Sequence, residues 1–164
     1  MSGVEKAPMI SWDSCVFLAW FNNEEDKPLG EIQRTLQGLA DKKAKLLVSA
    51  VCAAEVLNET GQSTAGTQFA GFVKRENVIV ANVDMRVAVL AAELRQHAIE
   101  AVKCGEIEKS IKAPDALIVA TAMIYKAAEL QTFDPFLLAL NGKPFVKGLP
   151  VIPPDDSGKT PLGF

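Results

Sequence analysis

The chain has 164 residues, 49% of them hydrophobic and 23% charged, with a net charge of −3. These totals are those of one soluble domain long enough to bury a sizeable core. They exclude a protein that grips polyanions through a generally basic surface, and leave room only for a local basic groove. The three cysteines, Cys15, Cys52 and Cys104, form no CxxC pair and sit in apolar or helical patterns, so buried thiols in a reducing compartment are expected. The N-terminus lacks the apolar stretch of a secretory signal, and no run approaches the roughly 18 apolar residues needed to cross a bilayer. A cytoplasmic protein with no membrane contact is expected.

Residues 1–8 read as a lead-in, 9–152 as the folded domain and 153–164, rich in Pro, Gly, Asp and Ser, as a flexible tail. A short strand over 9–12 ends at Asp13, and the apolar run 15–21 follows as a helix. Leu29, Ile32, Leu36, Leu39 and Ala40 recur at helical spacing. Residues 45–48 form a buried strand, and Ser49 caps a helix that contains Glu55. The segment 61–67, rich in Gly, Ser and Thr, reads as a mobile loop or as a break before a helix around 68–74. A strand over 78–81 leads to Asp84, which caps a long helix with Val87, Leu90, Ala91, Leu94 and Ala98 on its inner stripe. After a polar connection, 104–112, comes a helix over 113–123, then a strand over 129–132, a turn at Phe133-Asp134-Pro135 and a short apolar helix over 136–140. Val151-Ile152, flanked by prolines, suits an edge strand. Strands alternating with helices predict an α/β fold: three α/β/α layers around a central, mainly parallel sheet.

The helix over 113–123 organises the rest. It is apolar all round, which places it inside the protein, and Pro114 suits its first helical position. Asp115 falls where the helix dipole and free N–H groups favour an anion. Asp13, Glu55 and Asp134 each lie at the end of a strand or inside the helix after one, and a parallel α/β sheet gathers such positions beyond its carboxyl edge. Acids gathered there repel one another unless a cation lies between them, so the pattern points to a metal site.

In this order and spacing, Asp13-Ser14, the segment Ala53-Ala54-Glu55-Val56-Leu57, the run Ala113-Pro114-Asp115-Ala116-Leu117-Ile118 and Thr132-Phe133-Asp134 resemble the PIN domain, the nuclease domain of VapC-type toxins. The resemblance spans about residues 9 to 152. It implies that Asp13, Glu55, Asp115 and Asp134 bind Mg²⁺ or Mn²⁺, with Ser14 and Thr132 as hydroxyl partners to them, and that the protein is a metal-dependent endoribonuclease. It also implies the toxin half of a toxin–antitoxin pair, a homodimer, and a small antitoxin received in a groove, for which the helices between Asp13 and Lys43 offer apolar surface. Carboxylate oxygens suit such hard cations independently of the family. The chain departs from the pattern at Phe133, where many relatives carry a small polar residue, and at Ile118 and Val119, where some carry a further acid.

Lys109 and Lys112 immediately precede the central helix and are the basic residues best placed to bind RNA phosphates. His97, the single histidine, lies mid-helix and reads as a packed or solvated residue, and Trp12 and Trp20 read as core. Two other functions compete: a non-catalytic PIN-like module that binds RNA or a protein partner, and a phosphate-handling hydrolase on another α/β scaffold. The second lacks both a glycine-rich phosphate loop and histidine ligands.

Overall fold

A computed structural model describes residues 6–154. The expected tail lies almost wholly outside the described residues, as does most of the lead-in. The elements are β1 (Met9–Trp12), α1 (Ser14–Phe21), α2 (Leu29–Ala40), β2 (Lys45–Ser49), α3 (Ala50–Thr60), α4 (Thr64–Phe72), β3 (Val78–Ala81), α5 (Met85–Lys103), α6 (Ala113–Ile124), β4 (Glu129–Gln131), α7 (Pro135–Leu138) and β5 (Val151–Ile152), with a 3₁₀ turn at Pro144–Val146. The five strands are all parallel, in the order β3-β2-β1-β4-β5, and helices complete a three-layer α/β/α fold. The expected fold class therefore holds, with β5 at one edge as the prolines require.

Strand order reverses between β1 and β4. From β1 the chain steps outward to β2 and β3, then returns to place β4 on the other side of β1. Trp12 pairs with Gln131, and the Asp13 N–H still reaches the Gln131 carbonyl at 3.0 Å, so two chain ends emerge side by side. Such a reversal point opens the crevice in which α/β sheets collect ligands.

The core explains the helix placements. In α6, Ala116, Ile118, Val119, Ala120, Thr121 and Ala122 are buried, and α6 packs on α5 and β2. The α5 stripe is buried at Val87, Ala91, Leu94 and Ala98, as helical spacing demands, and Asp84 caps that helix by accepting from the Arg86 and Val87 N–H groups. Trp12, Phe17 and Phe69 meet edge to face, with centroids 5.1 and 5.3 Å apart, geometry that adds to their burial.

Three expectations are corrected. Of the two readings of 61–67, the break before a helix holds but is confined to 61–63: α4 starts at Thr64, not near 68, because the Ser63 hydroxyl accepts from the Gly66 N–H and caps it. The turn between α3 and α4 is tight because Gly61 takes φ +55° and because a Cβ on Gly66 would collide with the Gly61 carbonyl oxygen. Cys104 is exposed, since it stands at the C-terminal cap of α5 rather than on its inner stripe. Trp20 is half-buried and lines a groove with Trp12, Phe17, Phe21, Leu36 and Phe72.

Candidate active site

Asp13 is delivered by β1. It is the N-terminal cap of α1 and only 4% exposed, so its charge needs fixed partners. Oδ1 accepts from the Ser14 N–H at 2.8 Å, and Oδ2 accepts from the Thr132 hydroxyl at 2.8 Å and from the Cys15 thiol at 3.4 Å. Thr132, which follows β4, also accepts the Asp134 N–H at 3.0 Å. One buried hydroxyl thus spans two acids across the strand reversal. Asp134 caps α7, its Oδ1 accepting from the Phe136 N–H at 2.9 Å.

Asp115 lies in the first turn of α6, with Pro114 at the second helical position rather than the first. The Lys112 backbone N–H donates to its carboxylate, in the manner of the return bond of a capping box. Burial nevertheless pushes Asp115 up to about 6, aided by the charges of Asp13, Asp134 and Glu55. Glu55, half-buried on α3, is raised by desolvation and by Asp13, while a hydrogen bond from Ser14 lowers it. All four acids therefore share one electrostatic neighbourhood. Among the described residues no Lys or Arg forms an ion pair with any of them. Glu55, Asp115 and Asp134 line a cavity of about 360 Å³ together with Lys109, Ser110, Lys112, Pro114 and Phe136.

A family model for the PIN domain matches residues 10–141. The chain belongs to the PIN domain family. Solved structures similar to this PIN domain include VapBC2 from Rickettsia felis bound to a promoter DNA fragment, at 16% identity and a TM-score of 0.60, covering 90% of this chain and 99% of that one. A toxin–antitoxin complex from Klebsiella pneumoniae is similar at 18% identity and a TM-score of 0.61, covering 89% of this chain and 98% of that one. VapC20 of Mycobacterium tuberculosis, a toxin that cleaves the sarcin–ricin loop, is similar at 21% identity and a TM-score of 0.51, covering 76% and 89%. At these identities the likeness is one of fold. No curated protein matches the chain.

Against this frame of the PIN domain, the structure brings Asp13, Glu55, Asp115 and Asp134 to one edge of the sheet, places Ser14 and Thr132 on Asp13, and puts Lys109 and Lys112 in the cavity wall. The four acids do not close on a point: among the described residues, no three His, Cys, Asp or Glu side chains form a group that could hold a metal ion as they stand. Two residues not read from sequence as part of the site take part in it. Cys15, whose thiol burial and Asp13 push up to about 12, accepts from the Phe133 N–H at 3.3 Å and touches both Asp13 and Thr132. Phe136 lines the cavity. The signal for each was its position, two residues beyond an acid. His97 stacks on Phe145, with no part in the site.

Proposed function

We propose that this PIN domain protein is a Mg²⁺- or Mn²⁺-dependent endoribonuclease, the toxin of a toxin–antitoxin pair. The observation that carries the reading is the gathering of four carboxylates at the strand reversal with no Lys or Arg ion-paired to them among the described residues, where burial first and then the charges of the other three push Asp115 up to about 6. A divalent ion relieves that repulsion, and an all-oxygen donor set selects a hard one. The open spacing of the acids suits an ion that keeps several waters and takes only one or two carboxylates directly. Asp13 and Asp115 would hold it, with Glu55 beside it as ligand or water orienter and Asp134 bound through water. Once bound, such an ion supplies an activated water and neutralises phosphate charge.

The chain's own residues do the rest. The Ser14 N–H and Thr132 hydroxyl fix the Asp13 carboxylate before substrate arrives, which is the preorganisation a charged site needs. Lys109 and Lys112 offset the phosphate charge that the acids would otherwise repel. Glu55, raised in pKa and half-buried, is suited to orient an attacking water and take its proton.

The apolar groove of about 650 Å³ between α1, α2 and α4, floored by Trp12 and Phe17 and edged by Arg75, is proposed to receive the antitoxin. The likeness to the Klebsiella pneumoniae toxin–antitoxin complex supports an antitoxin partner, and the apolar lining of the groove suits one. A second copy of the chain is proposed to cover the exposed apolar residues around the β3–α5 junction.

The deciding experiment is cleavage of a cellular RNA pool by purified protein with Mg²⁺, Mn²⁺ or EDTA, beside a folded Asp115→Asn variant. Discrete cuts that need the ion and fall by about 10²-fold or more in the variant are expected, as when a transition-state charge stabiliser is removed. A protein that neither binds the ion nor cuts would instead be a non-catalytic binding module.

A further inference from the structure

The cavity contains one aromatic ring among its lining residues. Phe136 stands beside Asp134 and Asp115 with Lys109, Lys112 and Pro114 completing the wall. The Phe136 N–H donates to Asp134 Oδ1 at 2.9 Å, so the backbone that carries the ring is tied to an acid of the site. The Lys109 ammonium lies over the ring, 4.9 Å from its centroid. A lysine so placed holds a cation–π contact that is worth little where water is near, and it gives up little by turning to a phosphate.

We propose that Phe136 is the stacking platform for an unpaired base next to the scissile phosphate, and that Lys109 is displaced from the ring onto the RNA backbone when the base arrives. The inference rests on the ribonuclease reading above and adds to it the conformation of the substrate. The cavity of about 360 Å³ brings the ring, two lysines and the acids within the span of a single nucleotide. Base-on-aromatic stacking tolerates any base, because each has a π-face, and single-stranded segments are where RNA can present one. Cation and ring together match the two halves of a nucleotide: ammonium for phosphate, phenyl for base. Phe133, the other aromatic of the same turn, has Lys27 over its ring at 5.2 Å but is absent from the cavity wall, so the two are separable by mutation.

The test uses single-stranded RNA carrying 2-aminopurine, whose fluorescence is quenched on stacking, bound to full-length Asp115→Asn protein so that binding is read without turnover. Quenching is expected with Phe136 and with Phe136→Tyr. Phe136→Leu, which keeps apolar bulk but has no π-face, should lose the quenching and bind about tenfold more weakly. Lys109→Gln should keep the quenching while lowering the salt slope of binding by about one unit. The same sequence as a duplex should bind without quenching in any variant. Quenching and affinity unchanged in Phe136→Leu, or changed equally in Phe133→Leu, would overturn the subsite while leaving RNA cleavage by the unsubstituted protein intact. Failure of the unsubstituted protein both to bind and to cut RNA would overturn the ribonuclease reading, and the subsite with it.

Discussion

Asp115 is charged at a cost, because burial and three neighbouring carboxylates disfavour its anion and push its pKa up to about 6. In the metal-free protein the folded state therefore holds this proton more tightly than the unfolded chain, whose aspartate titrates near the ordinary value of 3.8. The contribution of this group to stability is greatest below that ordinary value and is lost as pH rises through about 6. Asp115→Asn removes the penalty and still accepts the Lys112 N–H. Without metal at pH 7 it should be more stable by about 1 kcal/mol, the full shift being discounted for solvent screening. At pH 3 the two proteins should unfold together. Adding Mg²⁺ or Mn²⁺ should raise the Tm of the unsubstituted protein and leave the variant's unchanged. A variant less stable at both pH values would make Asp115 a helix-starting residue and nothing more. Thr132 carries the opposite sign. Its hydroxyl donates to Asp13 and accepts from Asp134 N–H, so Thr132→Val leaves the Asp134 N–H unpaired and Asp13 Oδ2 with the Cys15 thiol alone, and should cost about 1–3 kcal/mol by denaturant titration. Thr132→Ser should recover most of that; if it does not, the methyl group rather than the hydroxyl matters.

The α3–α4 corner tests how an element's packing decides the effect of a single methyl group. Gly66 and Gly71 both lie in α4, where glycine costs roughly 1 kcal/mol relative to alanine. A Cβ at Gly71 would meet nothing within 4 Å, but at Gly66 it would strike the Gly61 carbonyl, which is backbone and cannot turn aside. Gly71→Ala should stabilise by about 0.5 kcal/mol and Gly66→Ala destabilise by about 1–3 kcal/mol, read as shifts in the urea midpoint at constant slope. Equal shifts of one sign would mean that α4 does not pack on this turn. The same corner marks the limit of sequence reading. The strands and the helices α5 and α6 were legible because apolar periodicity and the Asp84 cap act within one segment. The start of α4 was not, because Gly61, Ser63 and Gly66 are ambiguous singly and decisive only when the turn folds them together. Asp13, Glu55, Asp115 and Asp134 were legible as acids at strand ends. That Cys15 and Phe136 join them was not, since each belongs by composition to an apolar run and enters the site through the reversal of strand order between β1 and β4.

At the scale of the whole molecule, the sheet puts chemistry at one place and leaves apolar surface at another. The acids gather at the β1–β4 reversal, whereas among the described residues β3 ends the sheet with one side unpaired. Near it, Val80 is 42% exposed, Val83 40%, Met85 75% and Val89 51%. Exposed apolar side chains scattered singly are ordinary, but these follow one another through the end of β3 and the first turns of α5. Met85 and Val89 are four residues apart in α5 and so share a face. A second copy of the chain, meeting this face with its own, would bury both patches by one two-fold operation. Met85→Lys with Val89→Lys places two like charges in each half of that contact, four across it, without touching a core residue. Sedimentation should show the unsubstituted protein near twice the 17.6 kDa of one chain and the double variant near one. Because the side chains are exposed in the single chain, the variant's far-UV spectrum should not change. A monomeric unsubstituted protein at about 100 µM would rule the dimer out, since a contact of ordinary size with micromolar affinity would be filled there. A double variant that stays dimeric would move the interface to another face, and the exposed Leu57 of α3, two residues from Glu55, would be the next residue to charge.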